Sequence, residues 1–267
     1  MPHARARGGV SIAYDDAGAG EPALLLMPGW CAERTVFRAL VPLLAWRRRV
    51  LSLDWRGHGG SDDPPSDFGL SEQVEDAFAV IEQSGARTVV PVALAHAGWV
   101  SIELARRLGR RAPRLVLVEW LVLGAPPPFR EALAAMRSPE RWRGAVDGIF
   151  AIWTAHAGPE VSGFVRDVMG SYGFEMWSRA AREIAGAYER EGSPLSALSR
   201  LDPPVETLHL YATPEDPAFL SAQKEFAAAH PWFRVGRLSG RSHFPMLEAP
   251  GEIAEGIDAF LTEGGTT

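Results

Sequence analysis

A single cysteine, Cys31, leaves this chain of 267 residues with no intramolecular disulfide framework. The seven histidines stand singly, with no CxxC, HxH or HExxH spacing, so no metal site is expected and no cofactor is implied. Lys and Arg number 27 against 33 Asp and Glu, a net charge of −6, and the arginines are scattered among carboxylates. That excludes the basic stripe a phosphate backbone demands, and with it a nucleic-acid partner. No stretch reaches the roughly 18 to 20 apolar residues of a membrane span. The start, MPHARARGG, is charged but leads into no apolar run of signal-peptide length. The expectation is a cytoplasmic protein, monomer or homodimer, with no membrane partner.

What is present is enough for a large core: 46% of the side chains are hydrophobic, which suits one domain carrying an insertion. Residues 10 to 15 and 23 to 27 are β-type runs on either side of DDAGAGEP, whose Gly and Pro content predicts an opening hairpin. A helical stretch follows around residues 35 to 46, then a strand over 49 to 53 and a helix over 71 to 84. Residues 88 to 94 form a nearly continuous apolar run with β-branched members, the mark of a buried parallel strand. A helix over 99 to 108 follows almost at once, then a strand over 114 to 118. Pro126-Pro127-Pro128 opens a stretch rich in Trp, Phe and helix formers, which ends near Gly192-Ser193-Pro194. Strands resume at 207 to 211 and 233 to 238, separated by a helix over 217 to 229, and a helix over 251 to 261 closes the chain. This alternation implies an α/β fold with a mostly parallel, doubly wound sheet, residues 1–123 and 196–267, and a helical cap, residues 124–195. Ligands of such sheets bind beyond the carboxyl ends of the strands.

Four strand ends carry the chemistry. Leu94-Ala95-His96-Ala97-Gly98 joins a buried strand to a helix through small residues, the shape of the nucleophile elbow of the α/β-hydrolase fold. Its apex, however, is Ala95. A register shifted by two would put Ala97 there, equally without hydroxyl or thiol, and the nearest hydroxyl, Ser101, lies inside the helix. His243, in Ser242-His243-Phe244-Pro245 after the last strand, sits where this fold keeps its base. Glu119 leaves an apolar strand where it can orient that base and fix its tautomer; Glu215 and Asp216, after the next strand, are the competing acids. In Pro28-Gly29-Trp30-Cys31, the Trp30 N–H would join that of His96 in an oxyanion hole, which survives loss of a serine because it is made of backbone.

With these ends assembled, the chain resembles the cofactor-independent 3-hydroxy-4-oxoquinoline 2,4-dioxygenases over nearly its whole length. The resemblance rests on Pro28-Gly29-Trp30-Cys31, Asp54-Trp55-Arg56-Gly57-His58, His96-Ala97-Gly98-Trp99 and Glu119-Trp120. It continues in the cap and beyond through Pro139-Glu140-Arg141-Trp142-Arg143, Gly192-Ser193-Pro194, His230-Pro231-Trp232-Phe233 and Ser242-His243-Phe244-Pro245. It implies that His243, paired with Glu119, deprotonates the ring hydroxyl of a small aromatic substrate. The anion then reacts directly with O2, and the ring opens with loss of carbon monoxide. The chain departs from the family pattern in having Glu119 for aspartate, Ala95 for serine, and Ala32 and Leu94 for histidines. Those changes make a less polar pocket, suited to a different ring or a longer alkyl group. Trp120, Trp153 and Trp177 line it or simply pack; Cys31 is a small buried residue, and His58 belongs to a structural loop. A non-oxidative lyase, cyclase or isomerase using the same base, ester hydrolysis by water activated at His243, and a non-catalytic small-molecule binder remain the other readings.

Overall fold

A computed structural model describes residues 1–263, and the apolar runs of the sequence become its central strands. These are β1 (His3–Arg5), β2 (Ser11–Ala17), β3 (Ala23–Met27), β4 (Val50–Leu53), β5 (Val89–Leu94), β6 (Arg114–Val118), β7 (Glu206–Tyr211) and β8 (Phe233–Arg237). They form one sheet in the order β1-β2-β4-β3-β5-β6-β7-β8. From β4 to β8 every pairing is parallel, while β1, β2 and β4 pair antiparallel. Every residue of β3 and β5 is buried, as strands covered on both faces require.

The opening hairpin predicted from residues 10 to 15 and 23 to 27 does not form. β2 instead pairs with β1 on one side and β4 on the other, and β3 lies beyond β4, parallel to it. The reason is burial. β3 is apolar on both faces and belongs in the middle of the sheet, whereas β2 exposes Asp15 and Asp16 and suits a place near the edge. The stretch read as one helix over 35 to 46 is a 3₁₀ turn, Arg34–Phe37, followed by α1 (Leu40–Ala45). Pro42 has no N–H to donate back to Arg38, so the helix cannot extend through that turn.

The other helices are α2 (Leu70–Ser84), α3 (Gly98–Leu108), α4 (Pro127–Met136), α5 (Trp142–Thr154), α6 (Pro159–Asp167), α7 (Phe174–Glu191), α8 (Pro194–Ser199), α9 (Pro217–Ala229), α10 (Pro245–Glu248) and α11 (Pro250–Thr262). Six of them begin on proline, whose fixed φ and missing N–H cost nothing at the first helical position. Helices α4 to α8 all fall between β6 and β7. The longest, α7, buries Trp177, Ala180, Ala181, Ile184, Ala187 and Tyr188, a stripe at helical spacing. Among the described residues no helix is long and apolar enough to cross a membrane.

The start of α3 packs tightly beneath the site. A Cβ added at Gly98 would lie 2.2 Å from Cζ3 of Trp120, which is itself buried and set edge-on against Trp99 at 4.8 Å. Gly98→Ala should therefore cost about 1 to 3 kcal/mol in denaturant unfolding, the usual penalty for overpacking. Gly148→Ala, on α5 with no atom within 4 Å of its added Cβ, should be neutral or stabilising. Equal stabilities for the two variants would show that Trp120 yields freely.

Candidate active site

Beyond Leu94 the chain turns sharply, and Ala95 takes the left-handed conformation at φ 48°. A side chain is rarely held there, because its Cβ crowds the backbone. Ala97 has φ −60°, so the apex is Ala95 and the shifted reading fails. Ser101 is wholly buried inside α3, and its hydroxyl has no hydrogen-bond partner.

The loop after β3 adjoins this turn: a Cβ on Gly29 would stand 3.6 Å from the Leu94 carbonyl oxygen and 3.9 Å from the Ala95 Cβ. Cys31 in this loop is also left-handed, at φ 57°. The segment Asp54-Trp55-Arg56-Gly57-His58 braces it from behind. Trp55 Nε1 donates to Pro28 O at 2.7 Å, and the Cys31 N–H donates to His58 Nε2 at 3.1 Å. His58 Nδ1 therefore carries the proton and donates to Arg56 O at 2.9 Å. Arg56 is anchored in turn by a buried ion pair with Asp76, 2.6 Å at its closest. Burial pushes the His58 pKa down to about 4, against the hydrogen bond to Arg56 O, so the ring stays neutral and accepts. His58 acts on the loop that carries the Trp30 N–H.

Glu119, third of the left-handed residues at φ 54°, is buried at the end of β6. Its carboxylate accepts from the N–H of Ala212 at 2.7 Å, the N–H of Thr213 at 2.9 Å, and the Thr213 hydroxyl. His243 Nδ1 faces Oε1, the oxygen that also accepts from Thr213, at 3.8 Å. The competing acids lie elsewhere: Asp216 caps α9 by accepting from Ala218 N, and Glu215 is an exposed side chain 3.9 Å from Arg237. Trp153 of α5 stacks flat on the His243 ring, 4.5 Å between centroids and 8° between planes. The loop under His243 is pinned by Glu248, which accepts from Arg241 N, Ser242 N and Ser242 Oγ at 2.8 to 3.0 Å.

Two connected spaces open from these groups. An inner, narrow chamber with a volume of about 50 Å³ runs between the strand ends and α4, α5 and α7 and is lined by Trp30, Ala32, Leu94 and Trp177. An outer one of about 340 Å³ is lined by Glu119, Trp120, Thr213 and Pro214. Ala95, His96, Trp153 and His243 line both, so the base stands at their junction. Every site residue expected from the sequence thus borders one space or both. Sequence reasoning missed the apolar walls supplied by Phe129, Leu133, Met136, Ile149, Met169 and Ile184. The helical spacing of these residues shows that they are buried, but not what they face.

His96 is enclosed by Phe129, Trp120 and Tyr188 at centroid distances of 5.6 to 6.5 Å. Trp120 Nε1 donates to its Nδ1 at 3.3 Å, which places the ring proton on Nε2. Burial, and next the charge of His243, push its pKa down to about 3, so it is a neutral donor at ordinary pH.

The sequence profile of the alpha/beta hydrolase family matches residues 24–256. The chain is 37% identical over 261 residues to the 2-heptyl-3-hydroxy-4-quinolone dioxygenase AqdC2 of Rhodococcus erythropolis, covering 96% of each chain. It is 34% identical over 256 residues to the 1H-3-hydroxy-4-oxoquinoline 2,4-dioxygenase of Pseudomonas putida, covering 95% of this chain and 97% of the other. It superposes with a TM-score of 0.93 on AqdC in complex with its product, in a structure described as the basis for recognition and ring-cleavage of the Pseudomonas quinolone signal. That match has 33% identity and covers 98% of this chain and 100% of the other.

Ala95 cannot form an acyl-enzyme, so the protein should resist fluorophosphonate probes and turn over p-nitrophenyl esters negligibly. Stoichiometric labelling within residues 93–101 would show a nucleophile the geometry does not contain. A second expectation concerns acid. His58 and His96 titrate near 4 and 3 in the folded protein, against about 6.5 for free imidazole. Below about pH 6.5 the unfolded chain takes up protons that the folded one refuses, so stability falls as pH drops from 6.5 toward 4. Each histidine adds on the order of 1.4 kcal/mol per pH unit to that slope. Urea midpoints at pH 7 and 4.5 should show the loss, and His58→Gln should lessen it by about one histidine's share, since His96 and His209 remain; an unchanged slope would mean His58 is protonated in the fold.

Proposed function

The chain belongs to the alpha/beta hydrolase family and, within it, to the 3-hydroxy-4-quinolone dioxygenases; from that premise we propose that it cleaves a 3-hydroxy-4-oxoquinoline ring with O2, using His243 as base and Glu119 as its orienter. The observation that carries the reading is the pairing of an imidazole and a buried carboxylate, 3.8 Å apart, beside an elbow whose apex is a methyl group. Such a site can remove a proton but cannot attack. Glu119 faces Nδ1 and so favours the tautomer whose Nε2 is free to accept the 3-hydroxyl proton. The carboxylate then stabilises the imidazolium. The amides of Trp30 and His96, at adjoining turns, are the donors we assign to the anion's oxygen.

The anion is electron-rich enough to react with O2 directly. Both oxygen atoms enter at the two carbons flanking C3, and C3 leaves as carbon monoxide. Ala32 and Leu94 line the inner chamber where the family resemblance leads one to expect histidines. An apolar chamber in that place supports an alkyl substituent like the heptyl chain in the name of the Rhodococcus relative's substrate. Residues 124–195 act in this reading as a cap that keeps water from the anion, the walls from α4, α5 and α7 being almost wholly apolar.

Deprotonation and oxidation should separate. Mixed anaerobically with a 2-alkyl-3-hydroxy-4-quinolone, the protein should shift the ligand's absorption toward that of its anion, and air should then consume O2 and release carbon monoxide. His243→Ala should abolish the shift and lower turnover by ~10² to 10⁴. Glu119→Gln should act in the same direction to a smaller extent. An anion that forms and never consumes O2 would retire the dioxygenase reading in favour of a non-oxidative enzyme with the same base.

A further inference from the structure

Behind Glu119, on the side away from both cavities, lies a buried polar pair with no part in the chemistry so far. His209 on β7 and Gln223 on α9 are both wholly buried, and neither borders the inner or the outer space. Their hydrogen bonds run in one direction. Gln223 Nε2 donates to Phe219 O at 3.2 Å, which fixes the amide so that its oxygen faces His209. His209 Nδ1 donates to that oxygen at 2.5 Å, and His209 Nε2 is left to accept the Trp120 N–H at 3.3 Å. Burial holds the His209 pKa down at about 4, so the ring accepts and carries no charge.

The Trp120 N–H belongs to the peptide that leaves Glu119. At φ 54° that peptide has turned out of the β6 ladder, and a buried amide there would otherwise be left without a partner, its desolvation uncompensated. The preceding amide, that of Glu119, donates to Leu210 O at 2.9 Å. The strand that carries His209, with the two residues that follow it, therefore holds Glu119 by the peptide before it, the peptide after it and the carboxylate itself. His209 is the part of that clamp made by a side chain set against the backbone. An apolar pair would fill the same volume without burying an imidazole and an amide, and the polar one supplies a directional bond to a strained turn.

Resting on the assignment of Glu119 as orienter of the base, we propose that His209 and Gln223 are positioning residues that lock the left-handed turn at Glu119 and so set the carboxylate's place against His243. They move no proton and touch no substrate. His209→Ala should then lower kcat about tenfold or more, since a misplacement of about 1 Å in a catalytic group costs up to ~10²-fold. KM should stay within about twofold, and the acid limb of the kcat/KM profile should move. His209→Gln, whose amide oxygen can reach the place of Nε2, should restore most of kcat. Hydrogen exchange at the Trp120 amide should be at least tenfold faster in His209→Ala, a readout that needs no turnover. If the wild-type protein cleaves no quinolone, the function above fails, while the exchange measurement still decides this proposal. A folded His209→Ala protein with wild-type kcat, pH profile and Trp120 exchange would overturn it, as would a loss confined to KM. Should His209→Ala not fold, Gln223→Leu, which frees the ring to turn, takes its place with the same readouts, and unchanged values there overturn it equally.

Discussion

Three residues held in left-handed backbone, none of them glycine, set the geometry on which the rest of the site depends: Cys31 after β3, Ala95 after β5 and Glu119 after β6. Each conformation costs of order 1 to 3 kcal/mol and persists only where the surroundings over-determine it. The surroundings do so by naming a partner for each turned peptide. The Cys31 amide goes to His58, the amides on either side of Glu119 go to β7, and the turn at Ala95 is packed against Gly29 in front and Trp120 below. Because β3, β5 and β6 are neighbours in one parallel sheet, the strained turns open on the same edge.

Neutrality is the second constraint. His58 and His96 are pressed by burial toward the uncharged form, and each has one nitrogen assigned by a specific donor. His58 holds a loop and His96 presents a donor. His243 differs in having a carboxylate at its Nδ1 and a tryptophan face over its ring. On the proposed reading, His243 is the group that receives the proton of the ring hydroxyl. With a methyl group at the elbow, the chemistry we propose begins in a proton transfer and proceeds through the substrate's own anion.

The sequence by itself determined the parallel strands, the turn at Ala95, the lack of a nucleophile there, and the arrival of His243 and Glu119 at one edge. Those features are local: an unbroken apolar run, a strand passing into a helix through small residues, a histidine in a glycine-containing loop. Tertiary structure decided the rest. It moved β2 away from β3, because strand order follows which faces are covered and not which runs are consecutive. It placed Glu119, and not Glu215 or Asp216, 3.8 Å from His243, which depends on where the ends of β6 and β7 point in space. It alone revealed His209 and Gln223, a histidine in a strand and a glutamine in a helix whose spacing carries no motif. A hydrogen bond from a residue 89 positions away is specified by packing, which brings its donor and acceptor together only once the sheet and α9 have closed on each other.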